Sequence, residues 1–490
     1  MSEAAARPIT LGIDLGTSAV KVVALDSGDD VLAQAGAGFP TASALPHQAE
    51  QAPADWLRAL ASAMQSLVEQ LRNARGSNGQ RRIAAIGLTG QLPTLVCLSE
   101  NDALGPAITW KDGRADAWAA ARIDAPYRAA LYARTGMPID GRYLAPMVAF
   151  HFADRIAELR SILSAKDYLA YALTGIRATE PSTAAGYGVY DLHQQRFSLD
   201  LCDFWNLPHS LLPPIQPANS KAGPLSTAGA QMLGLPAGIP VSLGAADSVC
   251  ASYAMAGLEP GIVSISFGSS AVIIGACAAL TLDPAARYLL TPHAVDTWYG
   301  REMDLLASGT GYRWLSDLFG WYDGDLAAHA GNSVRGANGL YVTPYLAGGE
   351  QGALWNPRLR AGMFGLTLRH SRGDIARAYI EGVFFEIRRC IDVLAETTQI
   401  DSVRVSGKFV SSPNSLQMLA DILGRSIGSV PHTSPAAIGA ALLARALVPG
   451  IAPRAARGLS TVPTVHPDPP AVRTYQVLYR DYLLRAALCE

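Results

Sequence analysis

Thr10-Leu11-Gly12-Ile13-Asp14-Leu15-Gly16-Thr17-Ser18-Ala19-Val20-Lys21-Val22-Val23-Ala24-Leu25-Asp26 is the stretch that decides the fold of this chain. Apolar residues alternate at Leu11, Ile13 and Leu15 and resume at Val20, Val22, Val23 and Leu25, the pattern of two β-strands about a tight turn. Gly16 permits the turn, and Thr17 and Ser18 present hydroxyl and N–H groups to an anion. Asp14 stands at the mouth of the turn, where a carboxylate repels phosphate oxygens unless a cation lies between them. With Lys21, these residues read as a holder for a Mg²⁺-bridged polyphosphate: Asp14 toward the metal, Thr17, Ser18 and Lys21 toward phosphate. Gly and Asp belong in any turn, so this stretch alone leaves an ordinary hairpin open.

A second copy changes the weighting. Ile262-Val263-Ser264-Ile265-Ser266-Phe267-Gly268-Ser269-Ser270-Ala271-Val272-Ile273-Ile274 repeats the pattern, with Gly268 and Ser269 under Gly16 and Thr17. Ser266 replaces Asp14, so this copy can hold phosphate but offers a metal no carboxylate. One phosphate hairpin in each half implies duplicated domains closing on one nucleotide.

Length agrees, since 490 residues leave room for two separate cores. Basic and acidic residues nearly balance, 39 against 41, without a basic block, which argues against nucleic acid or anionic membrane as partners. Six cysteines are scattered singly, so neither a disulfide framework nor a zinc site is expected. No signal-peptide pattern and no membrane-spanning apolar run is found, and a cytoplasmic protein is expected.

Three further places carry chemistry. A short apolar strand at residues 83–88 ends in Thr89-Gly90-Gln91-Leu92-Pro93-Thr94, and Ala107-Ile108-Thr109-Trp110 leads into Lys111-Asp112-Gly113-Arg114. Loops at the carboxyl ends of strands are where open α/β sheets place ligands, although Asp112 and Arg114 also suit a surface ion pair. Pro240-Val241-Ser242-Leu243-Gly244-Ala245-Ala246-Asp247-Ser248 runs from a buried strand through small residues to an acid at a helix start. An Asp there is most often an N-cap, but one just ahead of a phosphate hairpin is also placed to act as a base. The third place is Val403-Arg404-Val405-Ser406-Gly407-Lys408-Phe409-Val410, a strand running into a turn.

In these motifs and their order, the chain resembles the FGGY carbohydrate kinases from about residue 9 to about residue 485. Their fold is shared with actin, hexokinase and the heat-shock chaperone ATPases. The resemblance implies an α/β protein of two duplicated actin-like (ribonuclease H-like) ATPase domains with a cleft between them. Residues 1–255 are expected to carry the sugar and phosphate/Mg²⁺ site, and residues 256–490 the nucleotide site. It further implies Asp247 as catalytic base and sugar contact, with Gln91, Leu92, Pro93, Trp110 and Asp112 also toward the sugar. Asp14 is implied for Mg²⁺; Thr17, Ser18, Lys21, Gly268, Ser269, Gly311, Gly407, Lys408 and Ser412 for ATP. Some family positions are altered. Leu92-Pro93-Thr94 stands for Met-His-Gly, Met147 for a Lys, Gln351 for an Arg, and Lys408-Phe409 for two glycines. The implied activity is ATP-dependent phosphorylation of a sugar's primary hydroxyl, with D-xylulose as the expected substrate. Other FGGY substrates (gluconate, glycerol, another ketose) and a non-catalytic sugar-binding regulator stand as alternatives. Small-molecule sugar and ATP are the implied partners, and a homodimer is an assembly the sequence permits.

Overall fold

A computed structural model describes residues 7–73, 81–100, 102–322, 325–347, 350–430, 434–450, 458–459 and 464–489. The first half builds a six-stranded sheet from β1 (Arg7–Leu15), β2 (Ala19–Leu25), β3 (Val31–Gly38), β4 (Arg81–Gly90), β5 (Lys221–Pro224) and β6 (Pro240–Ala246). Their order is β5-β6-β4-β1-β2-β3. The expected hairpin is present: β1 and β2 pair antiparallel with Asp14 opposite Lys21. The second half repeats the plan in a seven-stranded sheet. It contains β7 (Ile262–Phe267), β8 (Ala271–Cys277), β9 (Leu289–Pro292), β10 (Tyr299–Leu305), β11 (Ser402–Ser406), β12 (Ser426–Ser429) and β13 (Thr464–Val465). Here the order is β9-β10-β8-β7-β11-β12-β13, with β7 and β8 as the second hairpin.

Strand alternation decides what each face of the first sheet can accept. Leu11, Ile13 and Leu15 point one way and pack with Trp56, Leu60, Met64 and Leu67 of the helix Pro53–Asn73. Gly12 and Gly87 point the other way, onto the helix Pro435–Ala444. A Cβ at Gly12 would lie 1.7 Å from the Ala437 carbonyl oxygen, and one at Gly87 1.9 Å from that of Ala440. Glycine at both positions is therefore a condition of contact, and the alanines at 437, 440 and 441 complete it. That helix comes from the second half of the sequence, yet it also packs against the helix Asp247–Met255. Among the described residues no helix is long and apolar enough to cross a membrane.

Candidate active site

Parallel register carries distant segments to one edge of the first sheet. Asp14 lies level with Thr89 on the neighbouring strand, and Gly90 level with Ala246 on the next. Asp14 and Asp247 thus face the same space, as expected of side chains at the carboxyl ends of parallel strands. In the second sheet Ser266 lies level with Ser406, which sets the second hairpin beside the turn at Gly407. Residues from both halves line one cleft of about 1030 Å³.

Asp247 is the first residue of its helix, and the N-cap is Ala246. It is therefore not serving as the cap, although its Oδ1 accepts the Ser248 N–H at 2.9 Å. Burial, then the Asp14 and Glu302 carboxylates, push its carboxyl up to about 8. Asp14, 5% exposed, is pushed up to about 6 by burial against the opposing charge of Lys21. Its Oδ1 has no hydrogen-bond partner among the described residues.

A buried polar network stands behind the Asp247 junction. Lys166, Asp167 and Glu180 are fully buried, with Lys166 Nζ 2.8 Å from Asp167 Oδ1 and 3.8 Å from Glu180 Oε1. Lys166 also donates to the Leu243 carbonyl at 3.1 Å. Glu180 caps the short helix Pro181–Ala185, and the Ser182 hydroxyl donates to it at 2.9 Å. Ser182 Oγ in turn accepts the Ala246 N–H at 2.9 Å, which fixes the backbone immediately before Asp247.

The hairpin turns are braced differently. Trp110 Nε1 donates to Thr17 Oγ1 at 3.2 Å, and Gln51 Nε2 donates to the Thr17 carbonyl at 2.8 Å. The Ser269 carbonyl instead accepts both the N–H and the hydroxyl of Thr310, at 3.0 and 3.1 Å, in the helix Ser308–Phe319.

Family models match both halves of the chain. Residues 9–254 match the N-terminal domain, and residues 263–447 the C-terminal domain, of the FGGY family of carbohydrate kinases. The chain belongs to that family. It is 27% identical over 445 residues to the xylulose kinase of Staphylococcus epidermidis, covering 89% of this chain and 88% of that one. Against the gluconokinase of Bacillus subtilis it is 25% identical over 454 residues, covering 88% and 86%. The ligand-bound xylulose kinase of Lactobacillus acidophilus superposes with a TM-score of 0.88 at 25% identity, covering 98% of each chain. The protein is an ATP-dependent FGGY carbohydrate kinase, a sugar phosphotransferase of two α/β domains.

In this FGGY kinase most of the expected site residues share the cleft. Asp14, Thr17, Ser18, Lys21, Leu92, Pro93, Trp110, Asp247, Gly268, Ser269, Gly407, Lys408 and Ser412 all line it. Three do not. Gln91, 1% exposed, donates to Gln51 Oε1 at 2.8 Å and so lies behind Thr17 rather than in the wall. Asp112, also 1% exposed, accepts from the Ala49 N–H at 2.9 Å and from Arg114, tying two loops together. Gly311 makes room for a side chain, because a Cβ there would lie 2.1 Å from the Tyr379 hydroxyl. That hydroxyl donates to the carbonyls of Ala307 and Ser308, so Tyr379 secures the start of the helix. Gly309, two residues earlier, lines the cleft, and its Cβ would fall 2.0 Å from the Gly268 carbonyl oxygen. Phe409 also lines the cleft and stacks on Phe267, centroids 5.4 Å apart and planes at 4°. Gly407, at φ +117°, holds a conformation that side chains disfavour, with its Cβ direction 2.0 Å from the Phe267 carbonyl oxygen.

The cleft also contains residues to which the motifs gave no role: Asp140, Arg142, Tyr143, Ser182, Glu302, Asp304 and Gln351. Arg142 grips Asp140 through Nε at 3.1 Å and donates to the Gln351 side-chain oxygen. A signal for two of them lay in Tyr299-Gly300-Arg301-Glu302-Met303-Asp304-Leu305, where acids alternate with apolar residues in a strand otherwise fit for burial.

Proposed function

We propose that this kinase transfers the γ-phosphoryl group of ATP to a primary hydroxyl of a neutral ketose, with D-xylulose as substrate and Asp247 as general base. The observation that carries the reading is Asp247 itself, a carboxyl at a helix start that is not the cap and that faces the cleft between both hairpins. An alkyl hydroxyl attacks poorly at neutral pH, and a carboxylate that accepts its proton as the new bond forms lowers that barrier. Backbone N–H groups and hydroxyls at Thr17, Ser18 and Ser269, with Lys21, supply oriented donors to the phosphates.

Asp14 fits a Mg²⁺ ligand through its buried, partnerless Oδ1. No group of three or more His, Cys, Asp and Glu residues suited to a metal is found among the described residues. A Mg²⁺ ion there would be held by Asp14 with substrate phosphates and water, and would neutralise charge on the transferring group.

The names of the relatives favour a ketose, and the gluconokinase is the specific competitor. An aldonate calls for a free cation at the sugar loops. Lys111, the basic residue that follows Trp110 in the second of these loops, is not part of the cleft wall; it sits over the Trp110 ring, 5.2 Å from its centroid. A coupled ADP-release assay across pentuloses, polyols and aldonates tests the reading, with D-xylulose expected to give the highest kcat/KM. Turnover of gluconate above that of every ketose overturns the substrate assignment, and no turnover with any sugar overturns the phosphotransfer reading.

A further inference from the structure

We propose that Glu302 and Asp304 select the acceptor by charge, admitting neutral ketoses and polyols to the sugar end of the cleft and turning away aldonates. This rests on the kinase reading above and extends it to residues of the second domain. Both acids come from β10, where Glu302 lies opposite Ile274 and Asp304 opposite Val272 of β8, so they share one face of the sheet. Both line the cleft with Thr291, Arg142 and Tyr143, and β8 and β7 separate their strand β10 from β11, which leads into the Gly407 turn. Glu302 is 8% exposed, and the Thr291 hydroxyl donates to its Oε2 at 2.8 Å. Asp304 Oδ1 is shut off from solvent and has no hydrogen-bond partner among the described residues. A buried acceptor left without a partner beside a ligand cavity is a place for a substrate donor.

The positive charge in the cleft is committed elsewhere. Four cationic side chains line it. Lys21 lies opposite Asp14 in the first hairpin. Arg313 is on the exposed side of the helix Ser308–Phe319, and Lys408 belongs to the nucleoside turn. Arg142 acts on Asp304 and is clamped by Asp140 and Gln351. Asp304 therefore shares the Arg142 charge with Asp140, whereas Asp247 and Glu302 face the cleft with no ion pair among the described residues. Burial pushes the Glu302 carboxyl up, and burial with the neighbouring Glu302, Asp247 and Glu350 carboxyls pushes that of Asp304 well up. An incoming carboxylate is repelled by whichever of these oxygens are ionised, Asp247 in its base form among them, and that weakens its binding. A hydroxyl donates to the same oxygens without that penalty.

D-xylonate and D-xylonamide differ at one end only, in charge rather than shape, and calorimetry reads their binding without requiring turnover. Wild type should bind the amide at least about tenfold more tightly than the acid, because like-charge contacts cost upward of a kcal/mol. Glu302→Gln and Asp304→Asn should each narrow that ratio several-fold, with a thermal melt confirming that each variant is folded. Equal affinities in wild type, or a ratio that neither substitution moves, overturn the proposal. A protein that shows the ratio but phosphorylates no sugar keeps the charge selection and loses the kinase reading. One that phosphorylates D-xylulose with equal affinity for acid and amide does the reverse.

Discussion

The two phosphate hairpins share a sequence pattern and differ in chemistry. In the first, Asp14 lies opposite Lys21, and the turn is braced by the side chains of Trp110 and Gln51. In the second, the same place holds Ser266 opposite Val272, and the turn is braced by the start of a helix through Thr310. Duplication supplied two cradles for phosphate, and only one kept a carboxylate. On the proposed reading the metal and the base fall to the first domain, whereas the second lines the cleft with the neutral turn of its hairpin and with Glu302 and Asp304. What was repeated is the backbone; what diverged is the charge.

The largest expected effect comes from removing the base. Asp247→Asn keeps the shape and the hydrogen-bonding capacity of the side chain but cannot accept a proton at neutral pH. Turnover at saturating substrates should fall by roughly 10²–10⁴-fold, the usual worth of general-base catalysis. In the wild type, kcat/KM should climb with pH on an acidic limb set by a carboxyl held up to about 8 in the free enzyme. The stability sign follows from the same shift. A folded-state value near 8 above an ordinary Asp value of 3.8 means that the folded form holds this proton more tightly. Wild-type stability is therefore lowered as pH rises from about 4 to about 8, and Asp247→Asn escapes that loss. Inactive protein with an equal or higher melting temperature at pH 8.5 is the expected result. Near wild-type turnover would end the base assignment.

Next in size is the substitution that makes the two hairpins alike. Asp14→Ser gives the first cradle the residue type of the second, keeping the turn and losing the carboxylate. If Asp14 holds Mg²⁺, kcat/KM for ATP should fall on the order of 100-fold, with partial recovery at raised Mg²⁺, as loss of a metal ligand worth several kcal/mol requires. A smaller loss that Mg²⁺ does not relieve would mean that the asymmetry between the hairpins is only one of shape.

Legibility in the sequence followed the same division. The two hairpins and the order of the motifs could be read because they are local: a turn needs glycine, and a strand needs alternation. Gly311 was misplaced because glycine has one sequence signature for two physical causes, ligand approach and neighbour approach. Here the neighbour is the Tyr379 hydroxyl, 2.1 Å from where a Cβ would stand. Phe409, which stands where the family has a glycine, fills its place by packing with Phe267, Phe384 and Tyr312. The acceptor end was the least legible. Arg142, Glu302 and Asp304 belong to different domains and carry no motif, so only the closure of the two sheets brings them together.

The smallest expected effect separates bracing from binding in the first hairpin. Gln91 fits a sugar contact by motif, yet its amide reaches Gln51 at 2.8 Å, and Gln51 reaches the Thr17 carbonyl at 2.8 Å. Gln91→Ala should remove one buried hydrogen bond and leave Gln51 Oε1 with only the Trp56 indole, which donates to it at 3.0 Å. The cost should be about 1 kcal/mol, because a second donor remains on that oxygen. In a domain of this size that lowers the melting temperature by about 2–4 °C. KM for the sugar should stay within about threefold of wild type, since loss of a direct neutral hydrogen bond to a ligand would change it more. KM for ATP should rise more than KM for the sugar, because the brace ends on the turn that faces phosphate. A sugar KM that rises tenfold while the melting temperature holds would place Gln91 at the substrate. It would also leave the first hairpin braced by Trp110 and Gln51 alone, as the second is braced from a single helix.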